Sequence, residues 1–200
     1  MKPRDRRPTV LSAFAALLGA LLLPTSALAA PETFIRFEEE ATANWTIVET
    51  CGDGTISTTR ITVIGGMEFE SPDLEDVNEF VTVRIRNSRT CEGEFINEFG
   101  TGPATYTSSP SNLQEASVSG TVTLRSGAEA TINVTWEGTG PLETTVNTTQ
   151  FPGFSGVFIG QVREAVATGS VIVNGENLLE GATLVSAQIE TLEDRNITTG

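Results

Sequence analysis

The stretch ASVSGTVTLRSGAEATINVTWEGTG, Ala116 to Gly140, alternates apolar and polar residues, breaks at a glycine and alternates again. In its first half Val118, Val122 and Leu124 share one parity, against Ser117, Ser119, Thr121, Thr123 and Arg125. In its second half Ala130, Ile132, Val134 and Trp136 stand against Thr131, Asn133, Thr135 and Glu137. A period of two places each set on one face of a strand. The β-branched residues that dominate both halves suit a pleated, half-buried surface. Ser126-Gly127-Ala128 supplies the turn, so the stretch reads as an antiparallel hairpin. One face is apolar and packs on the core; the other is rich in hydroxyls and faces solvent. A parallel strand, buried on both faces, would be a continuous apolar run instead.

The same pattern extends in both directions. Alternating or β-branched segments cover Asn44 to Cys51, Thr55 to Ile64, Glu79 to Arg86, Cys91 to Phe99, Leu142 to Thr149, Gln161 to Val173 and Ala182 to Leu192. Gly52-Asp53-Gly54 and Asn174-Gly175 mark turns, and Asn-Gly is the strongest short hairpin signal. Gly100 to Gln114, rich in Gly, Pro, Ser and Thr, reads as irregular, and Phe151 to Gly160 as a glycine-aromatic loop. Arg195 to Gly200 reads as a fraying end. The fold class is therefore all-β: one antiparallel β-sandwich or up-and-down β-barrel of about nine or ten strands.

The first residues form a targeting segment. Lys2, Arg4, Arg6 and Arg7 make a basic start, Val10 to Leu23 an apolar run, and Ala27-Leu28-Ala29 a small-residue cleavage site. The run is shorter than the roughly 20 residues of a membrane span. Residues 1–29 thus read as a signal peptide and 30–200 as a single secreted all-β domain with no transmembrane span. Pro8 and Thr9 after Arg6-Arg7 fit poorly with a twin-arginine signal. Four Asn-x-Ser/Thr sites, at Asn44, Asn133, Asn147 and Asn196, would bear glycans only in a eukaryotic secretory route.

Charge and cysteines narrow the partners. The leader holds four cations and the acid Asp5, so its removal takes the net charge from −14 to −17. Every remaining cation is arginine, and there is no histidine. Such an acidic surface repels phosphate backbones, which excludes nucleic acid, and favours a soluble monomer. Cys51 and Cys91 lie in the exported part and pair as a disulfide in an oxidising compartment. The loop they close is worth roughly 4 kcal/mol by chain entropy.

Several chemistries are missing their residues. Without histidine there is no Ser-His-Asp or Cys-His system and no ordinary zinc site. Without lysine beyond the leader there is no Schiff base. Gly153-Phe154-Ser155-Gly156 lacks the Gly-x-Ser-x-Gly spacing of a nucleophile elbow. Paired carboxylates remain: Glu38, Glu39, Glu40, Glu92, Glu94 and Glu98 offer them, as does any acidic surface.

Three groups are candidate binding residues. Asp73, Glu75, Asp76, Asn78 and Glu79 set five oxygen-bearing side chains in one loop, a pattern open to calcium; no other cofactor is expected. No EF-hand spacing is present. Phe151, Phe154 and Phe158 form an aromatic lip or plug the core. Tyr106, in the irregular segment, is the exposed aromatic; Trp45 and Trp136 share parity with aliphatic residues and belong to the core. The sequence therefore points to a secreted, non-catalytic β domain that binds an unknown ligand, glycan or protein partner. A surface-associated structural protein of the cell envelope is the alternative, and a carboxylate-only glycoside hydrolase the third.

Overall fold

The computed structural model describes residues 32–70 and 77–198. It contains ten strands: β1 (Glu32–Thr50), β2 (Ile56–Glu70), β3 (Asn78–Asn87), β4 (Ile96–Ser108), β5 (Glu115–Thr123), β6 (Glu129–Gly138), β7 (Glu143–Phe151), β8 (Phe154–Val173), β9 (Glu176–Asn177) and β10 (Thr183–Thr198). Among the described residues no helix is long and apolar enough to cross a membrane.

Eight of these strands close into an antiparallel barrel. β1 to β6 pair in chain order, β6 pairs β8, β8 pairs β10, and β10 returns to β1. Of the two architectures the sequence allows, the barrel is therefore the one formed. Full closure leaves no bare edge in the main wall. The closing strand β8 is long enough to serve two neighbourhoods. Its second half, Ala165 to Val173, pairs β6. Its first half, Phe154 to Glu164, pairs β10 on one side and β7 on the other. β9 pairs only the end of β8.

Strand alternation fills the lumen. Ala41, Ala43 and Trp45 of β1, Ile61 and Val63 of β2, Val81 and Val83 of β3, and Val118, Ile132, Val134 and Trp136 of the hairpin are all buried. Each large aliphatic side chain so placed is worth about 1.5–3 kcal/mol over its exposed state. The opening hairpin behaves as its pattern requires: Val118 pairs Val134 and faces inward, while Ser119 pairs Asn133 and faces out. Gly127 adopts φ 89° at the turn between β5 and β6. Opposite walls touch through the centre. A Cβ on Gly65 of β2 would lie 2.6 Å from the Cβ of Val118 on β5, a strand that is not its neighbour in the sheet.

The Cys51–Cys91 disulfide is formed, with Cα atoms 5.2 Å apart. It ties the β1–β2 turn to the β3–β4 turn, so both lie at one end of the barrel. Asn174 and Gly175 both take positive φ, 53° and 86°, as a tight hairpin turn demands.

Four segments differ from the sequence reading. Gly100 to Ser108 is strand, not irregular. Its glycines admit a close neighbour: a Cβ on Gly100 would lie 2.8 Å from the carbonyl oxygen of Thr123. Cys91 to Phe95 is turn, and β4 starts only at Ile96. Of the glycine-aromatic loop only the turn at Pro152-Gly153 remains, because Phe154 already opens β8. Arg195 to Thr198 stays paired with β1 rather than fraying. Residues 1–29, read as a signal peptide, lie outside the described residues, as do Asp73, Glu75 and Asp76.

Candidate functional site

Where β2, β1, β10, β8 and β7 run side by side, the even-numbered residues of the first four strands and the odd-numbered ones of β7 face away from the lumen in three rows set by the register. One row is Glu68, Glu38, Leu192, Gly160 and Thr145; the next is Gly66, Glu40, Glu190, Val162 and Glu143; the third is Glu70, Arg36, Asp194, Phe158 and Asn147. A cleft of about 340 Å³ opens over this lattice, lined by the carboxyls of Glu38, Glu40 and Glu190 and, interleaved with them, by Phe158, Val162 and Leu192. Two glycines shape it. At Gly160 a Cβ would meet only Phe158, at 3.5 Å, which leaves the middle of the wall low. At Gly66 a Cβ would lie 3.0 Å from the Phe80 ring and 3.2 Å from Cγ of Glu40, so the ring and the stem of Glu40 close over the glycine.

That packing sets the electrostatics. Glu40 is half-buried, and its carboxyl is pushed up to about 7, first by loss of water and then by the charges of Glu38 and Glu190. When protonated it hydrogen-bonds to Glu38. Arg36 bridges Glu38 at 3.5 Å and Glu70 at 3.6 Å, so part of the negative charge beside Glu40 is answered. Gln188 donates to Glu190 at 3.0 Å. A carboxyl of this kind both donates and accepts a proton near neutrality, which is what general acid–base chemistry requires.

Glu39 lies on the other side of the same strand. It is fully buried in the lumen, where Tyr106 donates to its Oε1 at 3.4 Å and Oε2 meets no partner among the described residues. Burial raises its pKa, against the lowering effect of Ser108 and Tyr106. Burial likewise raises the Tyr106 phenol well above its usual range, helped by Glu39. Two adjacent glutamates thus share a cause and differ in access: Glu39 is sealed in, and Glu40 opens on the cleft.

The residues singled out from sequence are scattered. Tyr106 is not exposed: its side chain points into the lumen, and its backbone N–H donates to Glu79 at 2.9 Å. Phe151 is exposed on the β7–β8 turn and meets Phe154 with ring centroids 6.5 Å apart. Phe158 stands apart from them in the carboxyl cleft. Of the proposed calcium set, Asn78 donates to Glu68 at 3.0 Å and Glu79 accepts from Tyr106. Glu92 and Glu94 lie exposed in the β3–β4 turn, and Glu98 accepts from the backbone N–H of Ser126. Trp45 and Trp136 are in the core. Glu190 and Leu192 escaped notice in the sequence, although their parity on the last strand was legible.

The polar side of the opening hairpin also has a shape. With Thr107 and Thr168 it lines a groove of about 450 Å³ on the barrel's outer wall. There Thr107 and Ser117 hydrogen-bond at 2.7 Å and Thr135 and Thr168 at 3.2 Å, so the hydroxyls largely satisfy one another.

No protein-family model matches the chain, and no curated protein does. Three solved chains are remotely similar to it. One is an acetoacetate decarboxylase-like enzyme from Sphingomonas wittichii RW1, at 10% identity and TM-score 0.32, covering 90% of this chain and 98% of the other. A second is the enduracididine biosynthesis enzyme MppR complexed with pyruvate, at 7% identity and TM-score 0.30, covering 88% and 91%. The same enzyme with HEPES bound gives 8% identity and TM-score 0.26, covering 88% and 89%. These neighbours are described as enzymes, against the expectation of a non-catalytic binding domain, which is withdrawn. Likeness this remote gives no residue, substrate or reaction to the present chain.

Proposed function

We propose that the chain is an acid–base catalyst that moves a proton on a small substrate held in the β1–β10–β8–β7 cleft. Glu40 is the group that donates and accepts. The carrying observation is a half-buried carboxyl titrating near 7 in an open cleft lined by both carboxyl and apolar side chains. The volume is at the lower end of ligand sites, which suits a compact substrate. Phe158, Val162 and Leu192 take its apolar body, and Glu38 and Glu190 help hold Glu40 near half protonation at neutral pH, so that its carboxylate form takes a proton from the substrate and its acid form gives one. The chemistry needs side-chain carboxyls alone. The Cys51–Cys91 disulfide and the basic-apolar-small pattern of residues 1–29 support an exported protein, with residues 30–200 as the working unit.

The test uses a generic proton-abstraction probe, the base-promoted ring opening of 5-nitrobenzisoxazole. Wild type is expected to accelerate it, with a rate that rises with pH through an apparent pKa of about 7. Glu40→Gln abolishes that limb, whereas Glu92→Gln, in an exposed turn, leaves it intact. A wild-type rate no greater than that of Glu40→Gln overturns the assignment.

A further inference from the structure

The outer wall of β2 and β3 carries the opposite charge. Arg60 and Arg86 stand directly opposite each other across the β2–β3 ladder, and Arg84 follows two residues from Arg86, opposite Thr62. All three side chains are exposed. With Asn44, Thr62 and Ser186 they line a groove of about 460 Å³. Like charges placed directly across a ladder destabilise a sheet. In a chain with 26 acidic residues a carboxylate could relieve that repulsion, yet among the described residues none is a register neighbour of the three. The register neighbours of the three arginines are Thr46, Thr62, Asn97 and Phe99.

The groups are also held ready. Nε of Arg86 donates to Asn97 Oδ1 at 3.3 Å, which orients the guanidinium and leaves its two terminal nitrogens open. Arg84 lies over the Phe99 ring, 5.6 Å from its centroid, with its edge left open. Thr62 donates to Asn44 Oδ1 at 2.8 Å, and Asn44 Nδ2 donates to Ser186 Oγ at 3.1 Å. That chain runs one way, and it leaves the Ser186 O–H as a spare donor in the groove. Donors are thus gathered and acceptors are used up, which is the composition of an anion site.

We infer that the Arg60–Arg84–Arg86 groove binds a tetrahedral oxyanion, a phosphate or sulfate group, on the wall apart from the carboxyl cleft. Guanidinium forks match such an anion in geometry as well as charge. The cluster fixes where the anion goes on a molecule that otherwise repels it.

The experiment is a titration of the folded, oxidised protein with phenyl phosphate and with phenyl sulfate at constant low ionic strength. Binding is followed through the arginine Nε–H signals by NMR. Saturable shifts confined to Arg60, Arg84 and Arg86 are expected, with no response to phenol. The double substitution Arg60→Ser, Arg86→Ser should weaken binding at least about tenfold, since each charge-assisted bond is of that order. It should not lower the melting temperature, because it removes a repulsion. Affinity for phenyl phosphate that rises through pH about 6 identifies the phosphate dianion as the preferred form. Equal, pH-independent affinities identify the charge and shape shared with sulfate. Non-saturable shifts, or an affinity unchanged in the double variant, overturn the site.

Discussion

Glu40 and Glu190 face each other across the β1–β10 ladder, on the surface turned away from the lumen. Two carboxylates in directly opposed positions repel, and the pair reduces its charge by retaining a proton. Glu38, two residues along the same strand, adds to the effect. Replacing Glu190 or Glu38 by Gln is therefore expected to lower the titration midpoint of Glu40 from about 7 toward, without reaching, the ordinary value of 4.5. The remainder is desolvation, the largest cause, and no single substitution among the neighbours removes it. Carbon-13 NMR of the glutamate carboxyls against pH reads this directly. A midpoint unmoved in both variants would show that the charges contribute nothing.

The same shift predicts how stability follows pH. Glu40 holds its proton more tightly folded than unfolded, so the folded state binds more protons between about 4.5 and 7. Its contribution is fully present below pH 4.5 and is lost as pH rises toward 7. Glu39, raised by burial, acts with the same sign. Against wild type, Glu40→Gln should be indistinguishable in acid and more stable above pH 7, with the difference opening across that window. Urea midpoints for the two proteins at a series of pH values measure it. A constant offset between the curves would contradict the assignment.

Much of this architecture is legible in the chain because burial in a barrel alternates with the residue. The hairpin of β5 and β6 shows it most plainly, since its inward positions are nearly all aliphatic and its outward ones hydroxylic. The rest was obscured by glycine. Gly100 and Gly102 read as loop residues, yet a Cβ at either meets Val122, and they mark where β4 packs tightly on β5. Gly156 and Gly160 interrupt the alternation of β8 in the same way. The run Glu38-Glu39-Glu40 reads as surface charge. Only the parity that Glu39 shares with Ala41, Ala43 and Trp45 reveals that its carboxyl goes inside. No local signal brings Glu190 to Glu40, because their pairing depends on the barrel closing between the first and last strands.

Gly65 reports how closely the opposite walls meet. Its hydrogen points at Val118, and a methyl group there would lie 2.6 Å from Cβ and 2.9 Å from both γ-carbons. Backbone and branched side chain must both give way. Gly65→Ala is expected to cost about 3 kcal/mol, the upper part of the range for overpacking. Val118→Gly, which removes the Cβ together with both γ-carbons, should also destabilise on its own, by leaving a void. Together they should cost clearly less than the sum, because the added methyl occupies space the valine vacates. Additive costs in a chemical-denaturation double-mutant cycle would mean the two walls do not compete for that space.

The disulfide holds the turns at one end of the barrel, and its effect should lie mostly in the unfolded chain. Cys51 and Cys91 are 40 residues apart, so the bond closes a long loop. In the folded state β1, β2, β3 and β4 already pair through continuous ladders, and the bond adds little that the ladders have not fixed. Replacing both cysteines by serine is therefore expected to lower stability by about 4 kcal/mol while leaving the barrel intact. Lost chain entropy predicts that the far-UV spectrum, the Glu40 midpoint and the Arg86 signals stay as in wild type while the urea midpoint falls. Cys51 is buried and Cys91 exposed, so Cys51→Ser should be the worse single change once both thiols are reduced. A double variant that loses the Glu40 shift along with its stability would mean the bond shapes the folded barrel as well as restricting the unfolded chain.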